Sequence, residues 1–169
     1  PKGLLDQIFS TAYECGLPLV SLNGEYDNGQ FELTLCFDNA MKACDNTFLF
    51  KLMAREIALK NNLLLTFLPK PIPERGGSGF HVNISFRDSS GKNVISQDGK
   101  LSDMSKYFVA GLMKYHESLS SFLAPTVNSY ERLAPASMAG YWANWAEDHR
   151  LVTLRTSIKT EKSARLEHR

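Results

Sequence analysis

The sequence predicts an α+β domain, an antiparallel sheet with helices packed on one face. Two stretches that alternate with period two predict the strands. Phe80, Val82, Ile84 and Phe86 face one way and His81, Asn83 and Ser85 the other, while Gln30, Glu32 and Thr34 oppose Phe31, Leu33 and Leu35. A 23-residue stretch, 39–61, without Gly or Pro and with Met41, Cys44, Phe48, Leu52, Ile57 and Leu59 spread among polar residues, predicts the principal helix. A length of 169 residues suits one domain, 1–169, with a core of its own.

The remaining elements follow in order. Leu4, Leu5, Ile8, Phe9, Ala12 and Tyr13 have helical spacing over 2–15, ended by Gly16 and Pro18. Leu19 to Leu22 reads as a strand, and Asn23-Gly24 with Asp27-Asn28-Gly29 as turns before the alternating segment at Gln30. After Asn61-Asn62, Leu63 to Leu68 reads as a buried strand that runs into Pro69-Lys70-Pro71-Ile72-Pro73, where regular structure stops. Gly76-Gly77-Ser78-Gly79 leads into the alternating strand at Phe80. Ser102 and Asp103 can cap a helix over 103–123, which Pro125 ends. Residues 125–148 read as irregular or only partly helical. Leu151 to Ile158 and Ser163 to Arg169 alternate again, the first with Thr153, Arg155 and Ser157 on one face, the second with Arg165, Glu167 and Arg169 together.

The charge balance is 19 Lys and Arg against 18 Asp and Glu, a formal net charge of +1, without the basic excess of a nucleic-acid binder. No apolar run approaches the ~18 residues of a membrane span, and the N-terminus lacks signal-peptide architecture, so a cytoplasmic protein is expected. Cys15, Cys36 and Cys44 are odd in number and contain no CxxC pair; they read as reduced, buried thiols.

The polar strand faces carry an unusual set: Gln30 and Glu32; His81, Asn83 and Ser85; Arg155; and Arg165, Glu167 and Arg169. A histidine, carboxylates and several guanidinium groups suit a divalent ion beside a multiply anionic ligand, the arrangement that phosphoryl transfer uses. Salt bridges on a solvated sheet would give the same pattern. The Gly-Gly-Ser-Gly run has neither the Lys-Ser/Thr ending of a P-loop nor Rossmann spacing, and its glycines are expected to permit a close backbone approach or a positive-φ turn.

Six short segments occur in one order: Glu25-Tyr26-Asp27-Asn28-Gly29-Gln30-Phe31-Glu32, Pro69-Lys70-Pro71, Gly77-Ser78-Gly79-Phe80-His81, Asn128 to Pro135 with Arg132, Asp148-His149-Arg150, and Arg165-Leu166-Glu167-His168-Arg169. In that order they resemble the catalytic domain of glutamine synthetases over residues 18 to 169. The resemblance implies an ATP-dependent carboxylate–amine ligase that joins glutamate and ammonia through γ-glutamyl phosphate, with Mg²⁺ or Mn²⁺, acting as a homo-oligomer. By matching position, Glu25 and Glu32 would hold the ion beside the substrate carboxylate, and His81 and Glu167 the ion at the ATP phosphates. Gly77 would contact glutamate through its backbone. Arg132 and Arg169 would hold the substrate or its phosphorylated intermediate, Arg150, Arg155 and Arg165 the nucleotide phosphates, and Ser85 the nucleotide; Arg132 and Arg150 are the catalytic candidates.

Departures from the family pattern cluster near the amine. Met138 stands where the family carries a glutamate that closes the site and helps take a proton from ammonium, and a thioether can serve neither purpose. Gly76 replaces the family's Asn, and Asn83 the second His of its His-x-His. These changes resemble relatives that make γ-glutamyl amides of polyamines and other larger amines. The family's upstream Glu-x-Glu strand, which supplies further metal carboxylates, has no counterpart here, so the reading expects a domain fragment that is inactive as an isolated piece. A non-catalytic domain that retains the fold is the reading from another class.

Overall fold

The computed structural model describes residues 2–135, 137 and 140–169. Met138, the residue expected at the amine site, lies outside the described residues. The chain divides into two compact units, residues 1–67 with 74–76 and residues 68–73 with 77–169.

In the first unit, α1 (Lys2–Glu14) leads to the antiparallel hairpin β1 (Leu19–Gly24) and β2 (Phe31–Leu35), followed by α2 (Ala40–Lys60). Gly16 has φ +67°, the left-handed conformation that ends α1 at little cost for a residue without Cβ. The Asn39 side chain accepts from the Lys42 amide and so starts α2 with a cap. Ile8 and Ala12 of α1 and Phe50, Ala54 and Ile57 of α2 bury against one another with Leu17. Leu19, Leu22, Leu33 and Leu35 of the hairpin pack onto that cluster. The alternation in residues 30–35 thus has its expected cause, Leu33 and Leu35 turning inward and Glu32 and Thr34 outward.

In the second unit a four-stranded sheet runs in the order β3 (Val82–Ile84), β8 (Arg165–His168), β7 (Leu154–Ser157), β6 (Trp145–Glu147). The β3–β8 and β7–β8 pairs are antiparallel and β6–β7 is parallel, so one edge of the sheet departs from the antiparallel expectation. A small hairpin, β4 (Ser96–Gln97) with β5 (Lys100–Leu101), precedes α3 (Asp103–Lys114), α4 (His116–Leu123) and α5 (Val127–Arg132), and a short 3₁₀ turn, Glu161–Ser163, lies between β7 and β8. Leu154 and Leu166, fully buried, form the core with Ile95, Val109, Ile158 and Ala164, and Phe86, Phe108 and Leu112 pack around them.

Several elements differ from the sequence reading. Leu63 to Leu68 forms no paired strand, and Leu64 is 91% exposed, because an apolar run specifies neither a partner nor burial. The strand at Phe80 shortens to three paired residues, the length over which β8 supplies a partner. The helix expected over 103–123 breaks at Tyr115, whose φ −104° and ψ 15° cap α3 and open α4. The segment 125–148 holds α5 and β6, both too short to announce themselves by periodicity. Cys15, Cys36 and Cys44 are free and exposed, not buried, since their helix and loop positions face away from the cluster around Phe50. Among the described residues no helix is long and apolar enough to cross a membrane.

Candidate functional site

The register of the second unit's sheet decides which side chains meet. Glu167 pairs with Asn83 on one side and Arg155 on the other, and the next positions along the same face pair Arg165 with Ser157. Residues directly opposite in a sheet share a face, so the polar set predicted from separate strands becomes one continuous row. The opposite face holds Leu154, Thr156 and Leu166, all buried, which fixes the register because a one-residue slip would bury the charges instead.

Glu167 is the centre of the row and is only 4% exposed. His81 Nδ1 lies 3.1 Å from one carboxylate oxygen, which also accepts from Arg169 Nη1 at 3.3 Å; the other accepts from Arg155 Nε at 3.1 Å and Nη2 at 2.5 Å. Burial pushes the Glu167 carboxyl upward, but the hydrogen bonds from His81 and Arg155 and their charges outweigh it and hold its pKa down at about 2. The group is a fixed anion that gathers cations.

The glycine run brings further groups in. A Cβ on Gly79 would stand 2.6 Å from His81 Nε2 and 3.0 Å from Arg132 Nη2, and one on Gly77 would stand 3.0 Å from both Arg132 Cγ and the Pro69 carbonyl. Neither glycine has a positive φ, so close approach, one of the two expected uses, is the reason for them. Ser78 donates its amide to the Pro69 carbonyl at 2.8 Å, and Asn128 bridges both backbone groups of Lys70 at 2.8 Å, which ties the proline segment to α5. Burial and the neighbouring Arg169 guanidinium lower the pKa of Arg132 from its ordinary value. Two like charges that repel in a partly buried place are stabilised by an anion that binds both.

The predicted site residues therefore fall into two groups. His81, Arg132, Arg155, Glu167 and Arg169, with Gly77 beside Arg132, are brought together in the second unit. Arg165 joins the same face and donates its Nε to Asn83 Oδ1 at 3.0 Å. Ser85 is exposed just beyond β3, and Arg150 is exposed in the turn between β6 and β7. Glu25 and Glu32 belong to the first unit. Glu32 pairs with Asn23, and the Glu25 amide donates to the Gln30 carbonyl at 3.0 Å, so both acids lie on the two arms of one hairpin.

For a metal ion, His81 and Glu167 supply an imidazole and a carboxylate within reach of one cation, a donor pair that fits Mg²⁺ or Mn²⁺ only as part of a larger set. Among the described residues no three His, Cys, Asp or Glu converge on one point. Remaining ligands would be water or phosphate oxygens.

Two groups were not singled out by sequence. Asp27 accepts from the Gly76 amide and pairs with Arg75 Nη1 at 3.5 Å. Its place in a turn-rich Asp-Asn-Gly segment was the available signal, since Asp in turns commonly binds nearby amides. Thr153 is fully buried, donates its hydroxyl to the Trp142 carbonyl and accepts from the Arg169 amide at 2.9 Å, anchoring the end of β8; a buried Thr carries no sequence signal for this. Trp142, which reads from sequence as a packing or interface residue, is 63% exposed with its ring edge-on to Tyr141.

A family model described as the glutamine synthetase catalytic domain matches residues 2–169. The chain is 35% identical over 159 residues to glutamate–isopropylamine ligase of Pseudomonas sp, covering 92% of this chain and 35% of that protein. It is 34% identical over 154 residues to a glutamine synthetase of Pyrococcus horikoshii, covering 91% and 34% respectively. A cryo-electron microscopy structure of Plasmodium falciparum glutamine synthetase superposes with a TM-score of 0.91 at 25% identity, over 98% of this chain and 33% of that one. The chain thus spans about a third of the length of the curated relatives it matches. With the fold, the match along nearly the whole chain and these identities in agreement, the chain belongs to the glutamine synthetase family, of whose catalytic domain it carries a part.

Proposed function

We propose that the protein is an ATP-dependent carboxylate–amine ligase that activates the γ-carboxylate of glutamate and transfers the acyl group to an amine. The observation that supports this most is the convergence of His81, Arg155 and Arg169 on Glu167, with Arg132 beside Arg169. This is a cationic surface organised around one buried carboxylate, as phosphoryl transfer requires.

In this reading a glutamate γ-carboxylate oxygen attacks the terminal phosphorus of ATP, the bond to the bridging oxygen breaks and ADP leaves. The amine nitrogen then attacks the acyl carbon of γ-glutamyl phosphate, phosphate leaves, and the nitrogen gives up a proton. Arg155 uses Nε and Nη2 on Glu167, and its other N–H donors serve the nucleotide phosphates together with Arg150 and Arg165. Arg132 and Arg169 hold glutamate and then the acyl phosphate, which relieves their mutual repulsion. Gly77 offers its backbone to glutamate, and Ser85 contacts the nucleotide. His81 and Glu167 would hold the divalent ion at the phosphates and Glu25 and Glu32 the ion at the substrate; bound there, such ions neutralise developing charge on phosphoryl oxygens. The working protein is a cytoplasmic homo-oligomer.

Met138 favours an amine larger than ammonia, because a thioether neither takes a proton nor holds a cation. One relative is named an isopropylamine ligase and another a glutamine synthetase, so the family contains both chemistries. The test is phosphate release by the full-length protein from ATP and glutamate with Mg²⁺, comparing ammonium with putrescine, isopropylamine and other primary amines. Release only with larger amines places the protein among the γ-glutamyl amide synthetases, release with ammonium among the glutamine synthetases. Silence with every amine overturns the ligase reading in favour of a non-catalytic domain.

A further inference from the structure

The loop from Glu25 to Gln30 is closed on itself. The Asp27 amide donates to Gln30 Oε1 at 3.3 Å, the Gln30 amide donates to the Asp27 carbonyl at 3.0 Å, and the Glu25 amide donates to the Gln30 carbonyl at 3.0 Å. From this closed turn the Asp27 carboxylate reaches residues 74–76, which pack with the same unit although they are 49 positions away in sequence. Oδ2 accepts from the Gly76 amide and Oδ1 pairs with Arg75 Nη1 at 3.5 Å. The Asp27 side chain is 18% exposed against 60% for Arg75, so the amide contact is the sheltered one and the ion pair sits in solvent.

Gly76 fits this place because it has no side chain. A Cβ there would stand 2.9 Å from Asp27 Oδ2, 3.2 Å from Gln30 Oε1 and 3.5 Å from Tyr26 Cδ1. The three residues form a small receptacle for a backbone segment, and the amide that enters it is that of the Arg75–Gly76 peptide bond, one residue ahead of Gly77. One turn therefore carries Glu25 and also grips the chain at the entry to the glycine run.

We infer that Asp27 is a positioning residue: by holding the Gly76 amide it sets the backbone that presents Gly77 to glutamate. The substrate half of this rests on the ligase reading, in which Gly77 contacts glutamate; the tether itself does not. The atom held is the nitrogen of the Arg75–Gly76 bond, which trypsin cleaves, so the tether has a readout independent of turnover.

The experiment compares wild type, Asp27→Ala and Asp27→Asn in the full-length protein, following tryptic cleavage after Arg75 and the kinetics with glutamate varied. Loss of a sheltered charge-assisted hydrogen bond is expected to speed cleavage about tenfold and raise KM for glutamate about tenfold, with kcat changed by less than about threefold. Asparagine keeps an acceptor for Gly76, so D27N should stay within about threefold of wild type in both. Unchanged cleavage and KM in D27A overturn the inference. So does D27N as impaired as D27A, which would shift the effect to the charge facing Arg75. Wild-type silence with every amine overturns the ligase reading and the substrate half with it, and the cleavage comparison then decides the tether alone.

Discussion

Arg155 faces Glu167 directly across the β7–β8 pair and binds one of its carboxylate oxygens with two nitrogens, at 3.1 and 2.5 Å. Arg169 and His81 take the other oxygen, so the carboxylate is the common partner of three cationic or polar groups in a place where water has little access. Removing that anion leaves guanidinium groups facing one another without compensation. Glu167→Ala is therefore expected to destabilise the fold by about 3–5 kcal/mol, as breaking a buried pair from one side does. Glu167→Gln, which keeps two polar atoms, should cost less. Urea unfolding of the full-length variants measures both, and equal stability of Glu167→Ala and wild type would contradict the arrangement.

The pH dependence of stability should show two limbs on the acid side. Glu167 has its pKa lowered from 4.5 to about 2, so its contribution is complete above about pH 5 and is lost as pH falls toward 2. His168 is a base whose pKa lies below 6.5 because burial opposes its charge and His116, stacked 6.2 Å away, adds repulsion. The unfolded chain binds that proton more readily, so stability begins to fall as pH drops below about 6.5. His168→Phe keeps a ring against His116 and should flatten the first limb while leaving the second in place. Midpoints of thermal unfolding between pH 3 and 8 for the two proteins separate these contributions.

Two glycines should respond differently to the same change. Gly79→Ala would place its methyl 2.6 Å from His81 Nε2, a side-chain atom that can move, so the cost falls on the His81–Glu167 geometry more than on folding. Gly140→Ala would meet the Arg169 carbonyl at 2.7 Å, a backbone atom at the end of β8 that cannot yield, and should cost about 1–3 kcal/mol of stability. Mn²⁺ titration followed by electron paramagnetic resonance, beside chemical unfolding, distinguishes them. Weaker metal affinity with near-normal stability is expected for Gly79→Ala and the reverse for Gly140→Ala.

The sheet that carries the charged row was legible because alternation assigns each residue to a face without knowledge of its partner. Phe80 to Phe86 and Arg165 to Arg169 showed their polar sides in sequence, and the register then brought His81 and Glu167 together. The helices were legible for a similar reason, Ser102 being a local signal for the start of α3 and the uninterrupted run 39–61 for α2. What failed depended on distant partners. Leu63 to Leu68 had the composition of a strand and nothing to pair with, and β6 became a strand only because β7 lay beside it. The ends of the site showed the same division, since Arg155 and Arg169 carried their chemistry in their side chains, whereas Thr153 and Asp27 bind backbone groups of segments distant in sequence, partners that a local pattern does not name.

In the proposed ligase, the choice between ammonia and a larger amine turns on Met138. In the proposed reading Met138 matches the position of a family glutamate that would bind the cationic amine and accept its proton. Restoring an acceptor with Met138→Glu should raise kcat/KM for ammonium by about a hundredfold, the lower end for a positioned general base. Turnover of an uncharged or bulky alkylamine should fall, because a carboxylate replaces apolar surface and its desolvation opposes a hydrophobic ligand. The ratio of phosphate release with ammonium to that with isopropylamine, measured for wild type and variant at the same pH, gives the answer without reference to absolute rates. If the ratio does not move, the proton leaves through another group, and the thioether is not what sets the choice of amine.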